Sequence, residues 1–177
     1  GQLFLNVDDG TALSESEFGN EIKPSVLILN ADASTLTGDA VVADDGSTAD
    51  LFFTNDTVYT GMMDNVTNLD MDASSTWKMT ADSNTSQNVN NVGTIYWQHL
   101  GNTRTVNGNY TGTAGSVLSV RTQLGDNASP TDKMHVVGET SGTSQLIVRN
   151  AGGTGALNDK GIPVIMVEGA SNGTFTM

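Results

Sequence analysis

Short apolar clusters recur along the whole chain, and their spacing constrains the fold more than any other feature. Successive clusters mostly lie 18 to 26 residues apart, and each is followed within a few residues by Asn, Asp or Gly. This pattern is typical of short strands that end in turns, and the spacing matches one turn of a parallel β-helix. The clusters are Leu3–Val7, Val26–Leu29, Leu51–Phe53, Trp77–Met79, Ile95–Trp97, Val117–Val120, His135–Val137, Leu146–Val148 and Val164–Val167.

Helix signals are almost absent from the sequence. Ser14 and Glu17 have the spacing of a helix cap, but no apolar run of helical period follows, so we expect only a short turn there. Gly, Ser, Thr and Asn supply 75 of the 177 residues, a composition that suits turns and exposed strand faces. One rung cannot bury its own apolar row, whereas stacked rungs can. The sequence therefore predicts an all-β parallel β-helix, with a β-sandwich as the alternative.

The charge and the missing residue types exclude several classes of function. The chain has no cysteine, which excludes disulfides, thiolate metal ligands and a thiol nucleophile. Residues 1–76 contain 14 acids and one base, Lys23, whereas residues 77–177 contain six of each. Such an acidic first part repels phosphates, so we expect no nucleic-acid partner. The first residues resemble no signal peptide and stand in mid-pattern, so we expect a fragment of a longer protein.

The last 73 residues, about 40% of the chain, contain a series of motifs in a specific order. Their order and spacing resemble the pertactin-like end of the passenger in bacterial autotransporters, including the AIDA-type adhesins. The motifs are Thr105–Gly112, Val117–Val120, Leu124–Asp126, Ser129–Met134, Val137–Thr143, Asn150–Ala156, Gly161–Ile165 and Ser171–Thr176.

The resemblance implies a fold, a division of the chain and a partner. It implies a right-handed parallel β-helix that ends in a β-hairpin-type cap. Residues 1–104 would form the passenger stem and residues 105–177 an autochaperone that folds early at the outer membrane. The implied partner is a covalently linked outer-membrane β-barrel that translocates the passenger to the cell surface by type V secretion.

Within the autochaperone region, ten apolar residues are expected to form the folding core. Some would pack inward or across strands, and the others would cover the end of the β-helix, whose last rung exposes backbone groups. Two charged residues depart from the family pattern: Arg121 is expected to point outward or to lie near Asp126 or Asp132, and His135 to be an exposed strand residue. The packing residues are Tyr110, Val117, Leu118, Val120 and Leu124, and the covering residues are Leu146, Val148, Ile162, Val164 and Ile165.

The sequence offers little support for catalysis or for a cofactor. Neither His99 nor His135 lies in a triad or metal-binding pattern, and the Asp-Asp-Gly runs ending at Gly10 and Gly46 do not have EF-hand spacing. We therefore predict no enzyme activity, no metal and no cofactor. Acidic residues are densest at Asp44, Asp45, Asp50 and Asp56, which are expected to be solvated corners.

The resemblance thus implies a non-enzymatic passenger segment that supports folding and export and presents an adhesive or virulence region. One alternative is a direct binding module, in which the four acidic residues contact a host surface ligand or a second copy of the chain. Another alternative is a fragment of a polysaccharide lyase or hydrolase, because β-helices host such enzymes.

Overall fold

Strands follow one another in repeating sets of three in the computed structural model, which describes residues 2–8 and 24–177. The described ranges contain no helix with the length and apolar character needed to cross a membrane. The turn expected at Ser14–Glu17 lies outside the described residues.

The chain forms seven rungs within the described ranges, of which the last is partial, and a full rung passes over three faces. Rungs 1 to 4 have three strands each, whereas a single long strand covers faces 2 and 3 in rungs 5 and 6. The strands of rungs 1 to 3 are β1 (Leu3–Val7), β2 (Val26–Asp32), β3 (Thr35–Thr37), β4 (Asp39–Val42), β5 (Thr48–Thr54), β6 (Val58–Gly61), β7 (Met63–Asp64), β8 (Asn68–Met71) and β9 (Thr76–Met79). Those of rungs 4 to 7 are β10 (Ser83–Thr85), β11 (Val89–Asn91), β12 (Thr94–Trp97), β13 (Thr103–Val106), β14 (Tyr110–Thr122), β15 (Lys133–Val136), β16 (Thr140–Asn150), β17 (Ile165–Val167) and β18 (Thr174–Thr176).

Every pairing between these strands is parallel and joins one rung to the next. Face 1 contains the strands that open each rung, from β1 to β17. It consists of two sheets that meet between β7 and β10. Side chains link the two sheets there: Met63 N–H donates to Ser83 Oγ (3.1 Å) and Asn65 N–H to Asn84 Oδ1 (2.9 Å). The predicted parallel β-helix is therefore confirmed, and the β-sandwich alternative is wrong because sandwich sheets are antiparallel.

The core is a narrow column of inward side chains, in which aromatic rings pack in tilted contacts within rung 2 and between rungs 2 and 3. Tyr59 lies between Phe53 and Trp77, with ring centroids 5.7 and 6.3 Å away. The polar ring atoms of two of these residues have partners: Tyr59 Oη donates to the carbonyl of Met62 (2.6 Å) and Trp77 Nε1 to that of Gly61 (2.9 Å). Trp77 and Trp97 are both fully buried.

The last rungs differ from the earlier ones in length. Adjacent rungs are offset by 18 residues between Leu51 and Leu69, but by 30 residues between Tyr110 and Thr140. The extra residues form two loops, 123–132 and 151–164, on the same corner. The loops stack on each other, because Leu124 N–H donates to the carbonyl of Gly152 (2.7 Å).

The C-terminal end corrects one prediction. Strands β17 and β18 pair in parallel with β15 and β16, so they form a seventh, partial rung and not the expected β-hairpin-type cap. A hairpin would require antiparallel pairing through a tight turn. Residues 151–164 instead carry the chain back to face 1, where Met134 N–H donates to the carbonyl of Val164 (2.8 Å).

Candidate folding site in the C-terminal rungs

The longest strand ladder in the described part of the chain joins β14 to β16. The ladder contains ten residue pairs in two runs, which start at Tyr110–Thr140 and Ser116–Ser144, and the register shifts between the runs. Other pairings contain two to seven residue pairs. Because β14 spans two faces, both β11 and β12 of rung 4 pair with this one strand.

Three of the five predicted packing residues on this strand lie in the core. Tyr110, Leu118 and Val120 are fully buried. Val117 is half-buried on the outer side, between its cross-strand neighbours Thr94 and Gln145. Leu124 differs from the expectation: its side chain is 43% exposed, because β14 ends at Thr122 and Leu124 lies in the first corner loop.

The five residues expected to cover the end of the β-helix lie in β16 of rung 6, in loop 151–164 and in β17 of rung 7. Leu146, Val164 and Ile165 are partly buried and pack against the core. Ile162 is half-buried. Val148 is 39% exposed, because β18 covers β16 only at Thr143–Gln145 and does not reach it.

A buried polar cluster joins rungs 4, 5 and 6 around the ring of Tyr110. Its Oη accepts a hydrogen bond from Asn91 Nδ2 (3.2 Å) and lies 2.9 Å from Ser144 Oγ. Ser116 Oγ donates to the same Ser144 oxygen (2.7 Å), and Phe175 of rung 7 stacks on the ring at 6.2 Å. Burial raises the pKa of Tyr110, so the hydroxyl stays neutral and bonded.

A second buried group, Arg104, brings a positive charge into the core of rung 5. Its guanidinium donates to the carbonyl of Thr105 (2.6 Å) and to Thr85 Oγ1 (3.0 Å), and lies 5.0 Å from the centre of the Trp77 ring. No carboxylate within the described ranges forms an ion pair with it. Burial lowers the pKa of Arg104 to about 9, so the charge persists at neutral pH without an acidic partner.

Asp132 is a buried acid that fastens the first corner loop. Its carboxylate accepts hydrogen bonds from the backbone N–H groups of Gly101 (2.8 Å), Arg121 (2.8 Å) and Asn102 (3.3 Å). The side chain of Arg121 also lies 3.5 Å away, which places Arg121 beside one of the two acids expected for it. The carboxylate therefore connects rungs 5 and 6 where loop 123–132 ends.

A ladder of asparagines runs up the corner between faces 1 and 2. Each side-chain Oδ1 accepts the backbone N–H of the next rung: Asn68 from Asn88 (3.0 Å), Asn88 from Asn109 (2.9 Å), and Asn109 from Glu139 (2.8 Å). At the other end, Asn68 Nδ2 donates to Asp50 Oδ1 (2.8 Å). The ladder fixes the register of rungs 2 to 6 at one corner.

Glycines at the same corner allow the last rungs to approach closely. Gly138 N–H donates to the carbonyl of Gly108 (3.0 Å), and Gly169 N–H donates to that of Gly138 (3.1 Å). A Cβ added at Gly138 or Gly169 would overlap the carbonyl oxygen of the glycine one rung earlier. Side chains are therefore excluded from this stack in rungs 6 and 7.

Comparison with known proteins gives this arrangement a family. Residues 64–177 match the model of the Autochaperone Domain Type 1. The chain belongs to this family. The matched region starts in rung 3 and is longer than the region of resemblance in the sequence, and it confirms the predicted relation to autotransporter autochaperones.

Curated relatives of this autochaperone segment are far longer than the chain. The adhesin BmaC autotransporter of Brucella suis biovar 1 is 49% identical over 73 residues, which cover 41% of this chain and 2% of the relative. The autotransporter adhesin AIDA-I of Escherichia coli is 44% identical over 80 residues, 45% of this chain and 6% of the relative. The uncharacterized protein YdeU of Escherichia coli K12 is 48% identical over 77 residues, 44% of this chain and 16% of the relative.

The four acidic residues singled out in the sequence do not meet at one site of the autochaperone segment. Asp44 and Asp45 lie in the corner before β5, Asp50 lies within β5, and Asp56 lies in the corner after it. The carboxylate of Asp45 accepts the N–H of Ser47 (2.8 Å) and that of Asp50 is bonded within the asparagine ladder. In the described ranges, no three acidic or histidine side chains form a group that could hold a metal ion. Asp9 and Gly10 of the other Asp-Asp-Gly run lie outside those ranges.

Sequence reasoning missed the polar residues that join the rungs of the autochaperone segment. Arg104, Asp132 and Arg149 bridge rungs, and His135 pairs with Glu168 of the next rung at 2.8 Å. A signal for the asparagine ladder was present, because Asn68, Asn88 and Asn109 recur at intervals close to one rung. The partners of the buried charges come from distant parts of the sequence and left no such signal.

Proposed function

We propose that this chain is a non-enzymatic segment of an autotransporter passenger, in which residues 105–177 fold first and residues 1–104 stack on them as the stem. One observation carries the proposal: β14 pairs with β16 over ten residue pairs and also offers its other edge to both β11 and β12. A strand that is already held on one side is a template for the next rung.

Templating meets a physical need of this fold. Long-range strand pairing is slow because each rung closes a loop before its contacts form, and unpaired edges aggregate in the meantime. A C-terminal unit whose own strands are already paired supplies an edge on which the next rung can form its strand pairs. In the full protein, folding of successive rungs outside the cell would then help to draw the passenger across the outer membrane.

The wider setting follows from the family. The full protein would be a type V secreted protein of the bacterial cell surface, with a C-terminal translocator β-barrel linked covalently to this segment. Two of its relatives are named as adhesins, which supports an adhesive region elsewhere in the full protein. The proposal needs no chemistry from the segment itself.

Surface display of the full protein tests this function with matched substitutions. Leu118 in β14 and Leu51 in β5 are both fully buried leucines in strands of this helix. We expect Leu118→Thr to reduce the displayed protein severalfold, because it weakens the template, and Leu51→Thr to reduce it much less.

A control on the same strand is Val117→Thr, which alters the half-buried outer side and should leave display unchanged. Equal losses in the Leu118 and Leu51 variants would contradict the proposal, because they would mean that display follows overall stability and not the C-terminal rungs.

A further inference from the structure

Arg149 of rung 6 contacts rung 4 directly, two rungs away. Its guanidinium donates to Tyr96 Oη (2.6 Å) and to the backbone carbonyl of Trp97 (2.6 Å), both in β12. It also donates to the carbonyl of Ser119 in rung 5 (3.0 Å). One side chain thus bonds to two earlier rungs from a third, across 30 to 53 residues of sequence.

The guanidinium lies where the backbone ladder between rungs 4 and 5 stops. Strands β12 and β14 are paired from Thr94–Val117 to Tyr96–Ser119, and the pairing does not continue to Trp97. The two carbonyls that Arg149 binds, those of Trp97 and Ser119, stand at this end. Nη2 donates to both carbonyls while Nη1 donates to Tyr96 Oη, so the planar guanidinium serves three acceptors at once, which a point-like ammonium cannot do equally well.

The contact is held by more than these hydrogen bonds. The guanidinium carbon lies 3.8 Å from the centre of the Tyr96 ring, a cation–π contact that adds to the bond with the hydroxyl. Arg149 is also half-buried, which strengthens both interactions relative to an exposed pair. Arg121, its register neighbour in β14, is directed elsewhere and pairs with Asp132.

We propose that Arg149 is a positioning residue through which rung 6 holds rung 4 in register, so that the templating unit acts across an intervening rung. The inference rests on the proposed function and deepens it. Backbone ladders transmit register from one rung only to its neighbour, whereas this side chain links rungs that share no strand pairing. Rung 4 would therefore gain its structure together with rungs 5 and 6.

Pulsed hydrogen exchange during refolding of the intact chain tests this directly. In the unmodified chain, amides of Thr94–Trp97 should become protected together with those of β14 and β16. In Arg149→Met, protection of Thr94–Trp97 should lag by about tenfold while β14 and β16 keep their rate, since charge-assisted hydrogen bonds to rung 4 are lost. Arg149→Lys keeps the charge and should give an intermediate lag; it also serves as the test variant if Arg149→Met does not fold.

The matched control is Lys78→Met, which removes a positive charge from the outer side of the same face, beside Tyr96. This substitution should not delay the protection of the Thr94–Trp97 amides. The proposal is overturned if Thr94–Trp97 keep pace with β14 and β16 in both Arg149 variants, or if all amides slow by the same factor. Late protection of β14 and β16 in the unmodified chain would instead contradict the proposed function, so the two failures are distinguishable.

Discussion

Single buried polar residues raise or lower the stability of the C-terminal rungs. Among them, Arg104 lowers the free energy of unfolding the most. A charge in the core without a carboxylate partner loses hydration that two hydrogen bonds and one aromatic ring only partly replace. We predict that Arg104→Met, which keeps the length of the side chain, raises the free energy of unfolding by about 1–3 kcal/mol. Urea unfolding at pH 7 measures it, and a decrease would mean that the guanidinium stabilises the core.

Asp132 has the opposite effect, because its buried carboxylate is well bonded. Replacing it with Asn removes the charge from three backbone hydrogen bonds and turns one donor group towards other donors. We predict that Asp132→Asn lowers the free energy of unfolding by about 1–3 kcal/mol. Asp126→Asn in the same loop is the control, since Asp126 is exposed, and should change the value by less than about 0.5 kcal/mol. Equal effects of the two substitutions would refute a special role for Asp132.

Asp72 makes stability depend on pH in rung 3. Burial raises the pKa of its carboxyl, but hydrogen bonds from Asn55 N–H, Ser75 and Ser74 outweigh burial and lower the pKa from 3.8 to about 2. The folded state therefore favours the charged form, and this stabilisation is complete above pH 4 and is lost as pH falls towards 2. We expect Asp72→Asn to flatten the loss of stability between pH 4 and pH 2, whereas Asp44→Asn at an exposed corner should not. Parallel pH profiles for Asp72→Asn and the unmodified chain would disprove this.

At the scale of elements, the asparagine ladder and the strand pairings both fix the register of the rungs. The ladder bonds one backbone N–H per rung at a single corner. We predict that Asn88→Ala lowers the free energy of unfolding by about 1–2 kcal/mol, because it leaves the Asn109 N–H without its acceptor. Asn88→Asp keeps an acceptor oxygen and should lose less. The control is Asn90→Ala, two residues along the chain from Asn88, which removes an exposed hydrogen bond to Asp70. It should lower the free energy of unfolding by less than about 0.5 kcal/mol.

The sequence was sufficient to predict the type of element and much of the core, for a clear physical reason. Burial along a strand follows local alternation, and Tyr110, Leu118 and Val120 lie inside as predicted. Val117 was predicted to pack with them, but alternation turns it to the outer side. The end of each strand was harder to predict. Leu124 continues an apolar pattern but follows the last residue of β14, and Val148 points to a core that the final rung does not fully cover.

The polar contacts between rungs were beyond sequence reasoning. Whether Arg149 meets Tyr96 depends on the offset of each rung, and that offset changes from 18 to 30 residues along the chain. The C-terminal cap was predicted wrongly for the same reason, since the length of loop 151–164 lets β17 return in parallel to β15. Distances along the chain do not reveal which residues an irregular corner brings together.

For the molecule as a whole, a linear stack of rungs lets stability and folding order vary from one end of the chain to the other. Each rung contacts mainly its neighbours, so unfolding can proceed rung by rung from the weaker end. The N-terminal rungs have pairings of two to seven residues, whereas β14 and β16 share ten. The C-terminal rungs should therefore be the last to open and the first to form.

Native-state hydrogen exchange of the intact chain across a denaturant series measures the stability of each rung. Amides of β14 and β16 should exchange only through global unfolding, while those of β2 to β6 should exchange through an opening of lower free energy. The contrary result is exchange of β14 and β16 at the same free energy as β2 to β6, or at a lower one. The C-terminal rungs would then not be the most stable unit, and their role as the folding template would lose its physical basis.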